Sequence, residues 1–279
     1  MIEKNYKTVP TVLSIAGFDG SGGAGIQADT KTISAIGCYA MNVLTALPVQ
    51  NTQGVKNIFA IDPKAVQEQL ECIFEDIYPD AIKIGMVHST ELVEIIAEFL
   101  KDYKGKIVFD PVMVSTSGHK LIEDDTISAI KRKLFPLADI ITPNLDEVSV
   151  LVGKPVLELQ DMEAVSDQLL AMGSKAVLLK GGHLQSDILT SILLQHGQAA
   201  QYFESKKVDT KNTHGSGCTL SSAIASYLAI GQSLPEATEN GLAYVYQAIL
   251  GSKDLIIGKG HGPLNHFFNP HKLRINEMD

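Results

Sequence analysis

The chain has 279 residues, 45% of them hydrophobic and 20% charged, a composition suited to a soluble globular α/β domain of ordinary size. A net charge of −9 without any basic stripe argues against nucleic acid as a partner, so an anionic substrate would need a local positive site. Cys38, Cys72 and Cys218 are odd in number, far apart and free of any C-x-x-C pattern, which argues against a disulfide framework and a structural zinc site.

The opening "MIEKNYKTVP" contains no apolar core of signal-peptide length. "TVLSIAG" (11–17) reads as a buried strand, and "AGIQADTKTISAIG" as a helix stopped at Gly37. "YAMNVLTAL" is a second apolar run. Asp62-Pro63 then provides a cap and a first helical residue for a helix bearing Val66, Leu70, Ile73, Phe74 and Ile77. Strands at 81–87, 106–112, 139–143 and 176–182 alternate with helices at 90–103, 124–135 and 161–173. Residues 187–208 break the rhythm and predict an antiparallel hairpin turning near His196-Gly197. Two helices follow, the first of them the uncharged "TLSSAIASYLAIG". The uncharged stretches 32–55 and 212–235 carry Gly, Pro, Asn, Gln and Ser, so no membrane association and a cytoplasmic location are expected.

This alternation predicts one α/β domain over 1–279, with a mostly parallel central sheet, helices on both faces and an antiparallel edge hairpin. Ligands of such sheets bind beyond the carboxyl ends of the strands. That rule selects "GFDGSGGAG", "GMVHST", "DPVMVSTSGHK", "TPNLDE" and "KGGH", together with the helix-opening turn "NTHGSGC".

"GSGGAG" (20–25) satisfies G-x-G-x-x-G, but no acid lies between Asp29 and Asp62 to hold a ribose, which disfavours a dinucleotide-dependent oxidoreductase. The lysine of a Walker loop is also missing. A turn that merely permits close backbone packing stays open. In "NTHGSGC", Gly215 and Gly217 free the backbone, Ser216 adds a donor, and the helix start favours an anion. Cys218 lies in the same field, which predicts a lowered thiol pKa and a candidate base. A cysteine-protease pairing with His214 lacks any local signature, and a small packed cysteine is the plainer alternative. Asp110, Asn144 and Glu147 are oxygen donors suited to Mg²⁺, although carboxylates at helix starts also serve as caps. Lys180 ends an apolar strand, where a cation needs an anion. His261, His266 and His271 read as part of a packed tail. An anion hole, a base, acidic residues, a lysine and a cover are the parts of phosphoryl transfer.

The segments "IAGFDGSGGAGIQAD", "VQNTQGV", "KIGMV", "DPVMVSTSG", "TPNLDE", "KGGH", "NTHGSGCTLSSAIA" and "GKGHGPLNHF" together resemble the hydroxymethylpyrimidine/phosphomethylpyrimidine kinases of thiamine biosynthesis. These are ribokinase-like kinases with a three-layer α/β/α fold, and the resemblance runs from about Thr11 to Phe267. It implies an ATP- and Mg²⁺-dependent enzyme, usually a homodimer, that phosphorylates the hydroxymethyl group and then the monophosphate. It assigns Gly215, Ser216 and Gly217 to the anion hole, Cys218 to the base and Gln50 to the pyrimidine edge. Gly17, Ala24, Asp29, Met86 and Val112 fall in the substrate pocket, with Met86 against the ring. Asp110, Asn144 and Glu147 form the magnesium-side network, and Lys180 lies near the nucleotide phosphates. Phe18, Gly20, Ser216 and His119 depart from common family residues, His119 in the covering segment. Pyridoxal kinases share most of these motifs, so pyridoxal remains an alternative substrate.

Overall fold

The computed structural model describes residues 7–113 and 122–277. The chain opens with β1 (Lys7–Thr8) and β2 (Thr11–Ala16), followed by α1 (Gly25–Ile36) and β3 (Tyr39–Leu44). A hairpin of β4 (Ala46–Asn51) and β5 (Gly54–Ala60) precedes α2 (Pro63–Asp76). Strand–helix units follow: β6 (Ala81–Ile84) with α3 (Thr90–Leu100), β7 (Lys106–Phe109) with α4 (Asp124–Lys133), and β8 (Ile140–Ile141) with α5 (Leu145–Val152). Short helices α6 (Leu159–Ala164) and α7 (Ser166–Leu170) lead to β9 (Ala176–Leu179), β10 (Ile188–Gln195) and β11 (Gln201–Lys206). Helices α8 (Ser216–Ala229) and α9 (Leu234–Leu250) come before β12 (Asn276–Glu277), which pairs with β1.

The main sheet has the order β11-β10-β9-β8-β7-β6-β2-β3. It is parallel from β3 to β9, and β10 and β11 form the expected antiparallel edge. Successive strand residues face opposite sides. Leu13 and Ile15 of β2, Ile82 of β6 and Phe109 of β7 pack into one core with Leu92 and Ile96 of α3 and Ile127 of α4. Val12, Ala81, Val108 and Leu178 point the other way, onto Ile33 of α1, Ile224 of α8 and Tyr244 of α9. Two apolar faces with helices on each give the expected three layers.

Local signals explain the boundaries. Gly37 ends α1 in the left-handed region at φ 94°. The Asp62 carboxylate accepts from the Lys64 N–H, with Pro63 opening α2. The sequence suggests one run over 39–47, but the chain leaves the sheet after Leu44 and builds β4 and β5 as a separate antiparallel ribbon. Its Leu47, Val49 and Phe59 are exposed, so no buried face marks it as strand. The helix expected at 161–173 is split at Val165 into α6 and α7. Among the described residues no helix is long and apolar enough to cross a membrane.

Candidate active site

The carboxyl ends of the parallel strands open into a cavity of about 1090 Å³. Gly17 and Ala24 come to its wall from the β2–α1 loop, Gln50 from the β4–β5 ribbon and Met86 from beyond β6. Asp110 and Val112 follow β7, Asn144 and Glu147 lie at α5, Lys180 follows β9, and Gly215, Ser216, Gly217 and Cys218 open α8. His119 lies outside the described residues.

The turn before α8 is built on glycine. Gly215 is its N-cap at φ 82°, and a Cβ there would sit 1.8 Å from the Gly23 carbonyl oxygen. Gly217 lies close to two side chains: a Cβ would be 3.3 Å from Asp110 Oδ2 and 3.4 Å from Lys180 Nζ. The first-turn N–H groups of α8 have no acceptors within the helix and carry its positive dipole end. Both glycine-rich turns therefore pack backbone to backbone at the cavity, and "GSGGAG" serves close packing as well as lining.

Lys180 donates to Asp110 Oδ1 at 2.8 Å and approaches Glu147 Oε2 at 3.8 Å. Thr142 Oγ1 also donates to Asp110 Oδ1, at 3.1 Å. Asn144 caps α5: its Oδ1 accepts from the Glu147 N–H at 2.9 Å, and its own N–H donates to Glu147 Oε2 at 2.8 Å. Asn144 thus orients Glu147. Burial pushes the Glu147 carboxyl up to about 7; Lys180 pulls it back and Asp110 raises it further. Burial works against the Lys180 charge, but Asp110 and then Glu147 outweigh it and keep the ammonium above the usual lysine range. The two buried carboxylates at the cavity are hard oxygen donors that fit Mg²⁺ bound through water.

Cys218 corrects one expectation. The helix start does not make it a ready thiolate: burial pushes the thiol up to about 11. Lys83 pulls it down, Asp29 and Asp110 push it up, and the Gly25 N–H lowers it slightly. Desolvation wins although the half-buried residue lines the cavity, because protein atoms and two carboxylates surround the sulfur. His214 is not its partner; Nε2 of that ring lies 2.8 Å from Asp19 Oδ2.

Asp29 departs from the expected pocket set. It lies behind the cavity wall, wholly out of solvent, accepting from Ser14 Oγ at 2.5 Å, Ser222 Oγ at 2.7 Å and Lys83 Nζ at 2.8 Å. Its ion-pair partner Lys83, also buried, is the member of the pair that borders the cavity. Sequence reading passed over Lys83, although a lysine inside the apolar strand "AIKIGMV" signals a buried counter-ion. Gly85 leaves room for it, since a Cβ there would be 2.8 Å from Lys83 Nζ. The cavity lining supplied by Val208 after β11 and by Leu242 and Tyr246 of α9 was also missed. Its residues carry no motif.

A family model for phosphomethylpyrimidine kinase matches residues 19–265. The chain is 43% identical over 265 residues to a thiamine biosynthesis bifunctional protein of Geobacter sulfurreducens, covering 95% of this chain and 54% of that protein. It thus spans about half the length of the bifunctional relatives it matches. It is 43% identical over 257 residues to a hydroxymethylpyrimidine/phosphomethylpyrimidine kinase of Salmonella typhimurium, covering 91% of this chain and 96% of that one. The expected ribokinase-like architecture is shared with a pyridoxal kinase from Staphylococcus aureus solved in complex with ADP. The TM-score is 0.86 at 30% identity, over 97% of this chain and 100% of that one. A match that runs through both glycine-rich turns, with relatives aligned over nearly the whole chain, means that the chain belongs to the phosphomethylpyrimidine kinase family of phosphotransferases.

Proposed function

We propose that the chain transfers the terminal phosphoryl group of ATP to 4-amino-5-hydroxymethyl-2-methylpyrimidine, and then to the monophosphate so formed, within thiamine biosynthesis. The observation that carries this reading is the shared cavity, lined by Gln50, Met86, the opening of α8, and Lys180 paired with Asp110 at 2.8 Å. Gln50 can donate to and accept from an aminopyrimidine edge. Met86, Gly17, Ala24 and Val112 shape the ring pocket. The N–H groups around Gly215, Ser216 and Gly217 hold the transferring group, and Lys180 meets the phosphates. Cys218 takes the proton of the attacking hydroxyl once its own proton has left, a loss that the Lys83 charge assists. Asp110 and Glu147 would hold Mg²⁺ through water, and the bound ion neutralises phosphate charge. In this reading residues 1–279 form one catalytic domain that works in the cytoplasm as a homodimer.

A pyridoxal kinase activity is the second reading, favoured by the structural neighbour above. Purified protein is given ATP, Mg²⁺ and either the hydroxymethylpyrimidine or pyridoxal, and the phosphorylated products are counted. Mono- and diphosphate of the pyrimidine are expected. Pyridoxal phosphate alone would replace the first reading by the second, and no transfer to either acceptor would remove both.

A further inference from the structure

Asp19 and His214 lie 195 positions apart in the chain, yet His214 Nε2 is 2.8 Å from Asp19 Oδ2. Asp19 is fully buried. Its Oδ2 also accepts from the N–H groups of Gly23 at 3.1 Å and Ala24 at 2.8 Å. Its Oδ1 accepts from the Ser21 N–H at 2.9 Å and the Ser21 hydroxyl at 2.7 Å. Burial opposes ionisation here, but the donors from His214 and Ser21 outweigh it and hold the carboxyl well below the usual range.

One carboxylate therefore gathers donors from two separate walls of the cavity. The first wall is the β2–α1 loop, whose Ala24 and Gly25 border the cavity. The second is the turn that begins at His214 and continues into Gly215, Ser216 and Gly217. Space at the seam is already used up. A Cβ on Gly23 would fall 2.5 Å from His214 Cδ2, and a Cβ on Gly215 would fall 1.8 Å from the Gly23 oxygen. The turn is braced from its other side as well: the His214 N–H donates to the Gly262 carbonyl at 3.0 Å. His214 lines the cavity, and its ring Nε2 is engaged by Asp19.

We propose that Asp19 and His214 act as a clasp of positioning residues, fixing the distance between the loop that borders the acceptor and the turn that holds the transferring phosphoryl group. The proposal rests on the kinase reading and adds a geometric requirement to it. A loosened clasp leaves each half-site able to bind its own ligand, because Gln50, Met86 and Lys180 are held by other elements. What is lost is the alignment of the acceptor oxygen with phosphorus. Misalignment of about 1 Å costs on the order of 10²-fold in rate.

The test uses the full chain with His214→Ala, His214→Gln, Asp19→Asn and the double variant His214→Ala/Asp19→Asn. His214→Ala and Asp19→Asn are each expected to lower kcat of both phosphorylation steps by about 10²-fold, with KM for ATP and for the pyrimidine little changed. The double variant is expected to be no slower than the slower single variant, since both break one unit. His214→Gln, which keeps a side-chain N–H, is expected to recover most of kcat. Hydrogen exchange on folded His214→Ala is expected to speed up at the Gly23 and Ala24 amides, far away in sequence. Wild-type kcat in folded His214→Ala, multiplying losses in the double variant, or unchanged protection at Gly23 and Ala24 would each overturn the clasp. If the wild-type protein phosphorylates no pyrimidine, the kinase reading fails, and the exchange measurement alone decides the clasp.

Discussion

Lys83 Nζ lies 2.8 Å from Asp29 Oδ2, and neither side chain has any exposure to solvent. Burial opposes the lysine charge, but Asp29 outweighs it and keeps the ammonium protonated. Lys83→Met would leave Asp29 with two serine hydroxyls and no cation. A stability loss of about 3–5 kcal/mol is expected from breaking such a pair on one side. Lys83→Met/Asp29→Leu should lose less than Lys83→Met alone. Urea unfolding of the single and double variants measures this, and a loss well under 1 kcal/mol would show that the pair is solvated in practice.

Under the proposed function, Cys218 is expected to act in only one of two phosphorylation steps. The first acceptor is a neutral alcohol that must lose a proton; the second is a phosphate oxygen already ionised near neutral pH. Cys218→Ala should slow the first step by about 10²–10⁴-fold and the second far less. Ser at this position should behave like Ala. Equal losses in both steps would return Cys218 to a packing role.

The raised thiol also gives a pH dependence. With the folded-state value near 11, the active thiolate is scarce at neutral pH and grows as pH rises towards that value. The first step at saturating substrate should therefore speed up from pH 7 to 9 in the wild type and lose that slope in Cys218→Ala. A flat wild-type profile under chemistry-limited conditions would contradict a thiolate base.

Among the described residues, the Gln50 side chain makes a long contact, with Nε2 donating to the Phe18 carbonyl at 3.5 Å. Its amide is therefore available to a ligand. Gln50→Ala should weaken pyrimidine binding by about 1–3 kcal/mol and leave ATP binding unchanged. Titration calorimetry with each ligand distinguishes this from a general loosening of the ribbon, which would weaken both.

Glu147 is oriented by the α5 cap, and its side chain faces Asp110 across Lys180. Glu147→Gln removes charge at nearly constant shape. The Mg²⁺ concentration for half-maximal rate should rise by about 10-fold or more. An identical magnesium dependence would leave Glu147 as a cap alone.

The parallel sheet was legible because buried parallel strands read as apolar runs, as at 11–17 and 176–182. The β4–β5 ribbon was not, because its Leu47, Val49 and Phe59 face solvent and no buried alternation betrays it. Helix α5 was hidden for a related reason: Asn144 and Glu147 look like metal-side residues and are at the same time its capping box. Glycines at 215 and 217 announced the turn. The positive φ at Gly215 and its clash with the Gly23 carbonyl oxygen needed coordinates. The family resemblance assigns Asp29 to the pocket, whereas its carboxylate is fully buried on Ser14, Ser222 and Lys83. Pairings such as Asp19 with His214 leave no local trace at all.

Helix α8 reaches back to the start of the chain: Ser222 donates to Asp29 across 193 positions, and α8 packs on α1. On the ribosome, β2 and α1 emerge long before this partner exists. The Asp29 carboxylate can meet Lys83 once β6 pairs with β2, but its Ser222 donor arrives only with α8. Catalytic competence should therefore be among the last properties acquired during folding, trailing the recovery of helical signal, because contacts of such sequence separation close slowly.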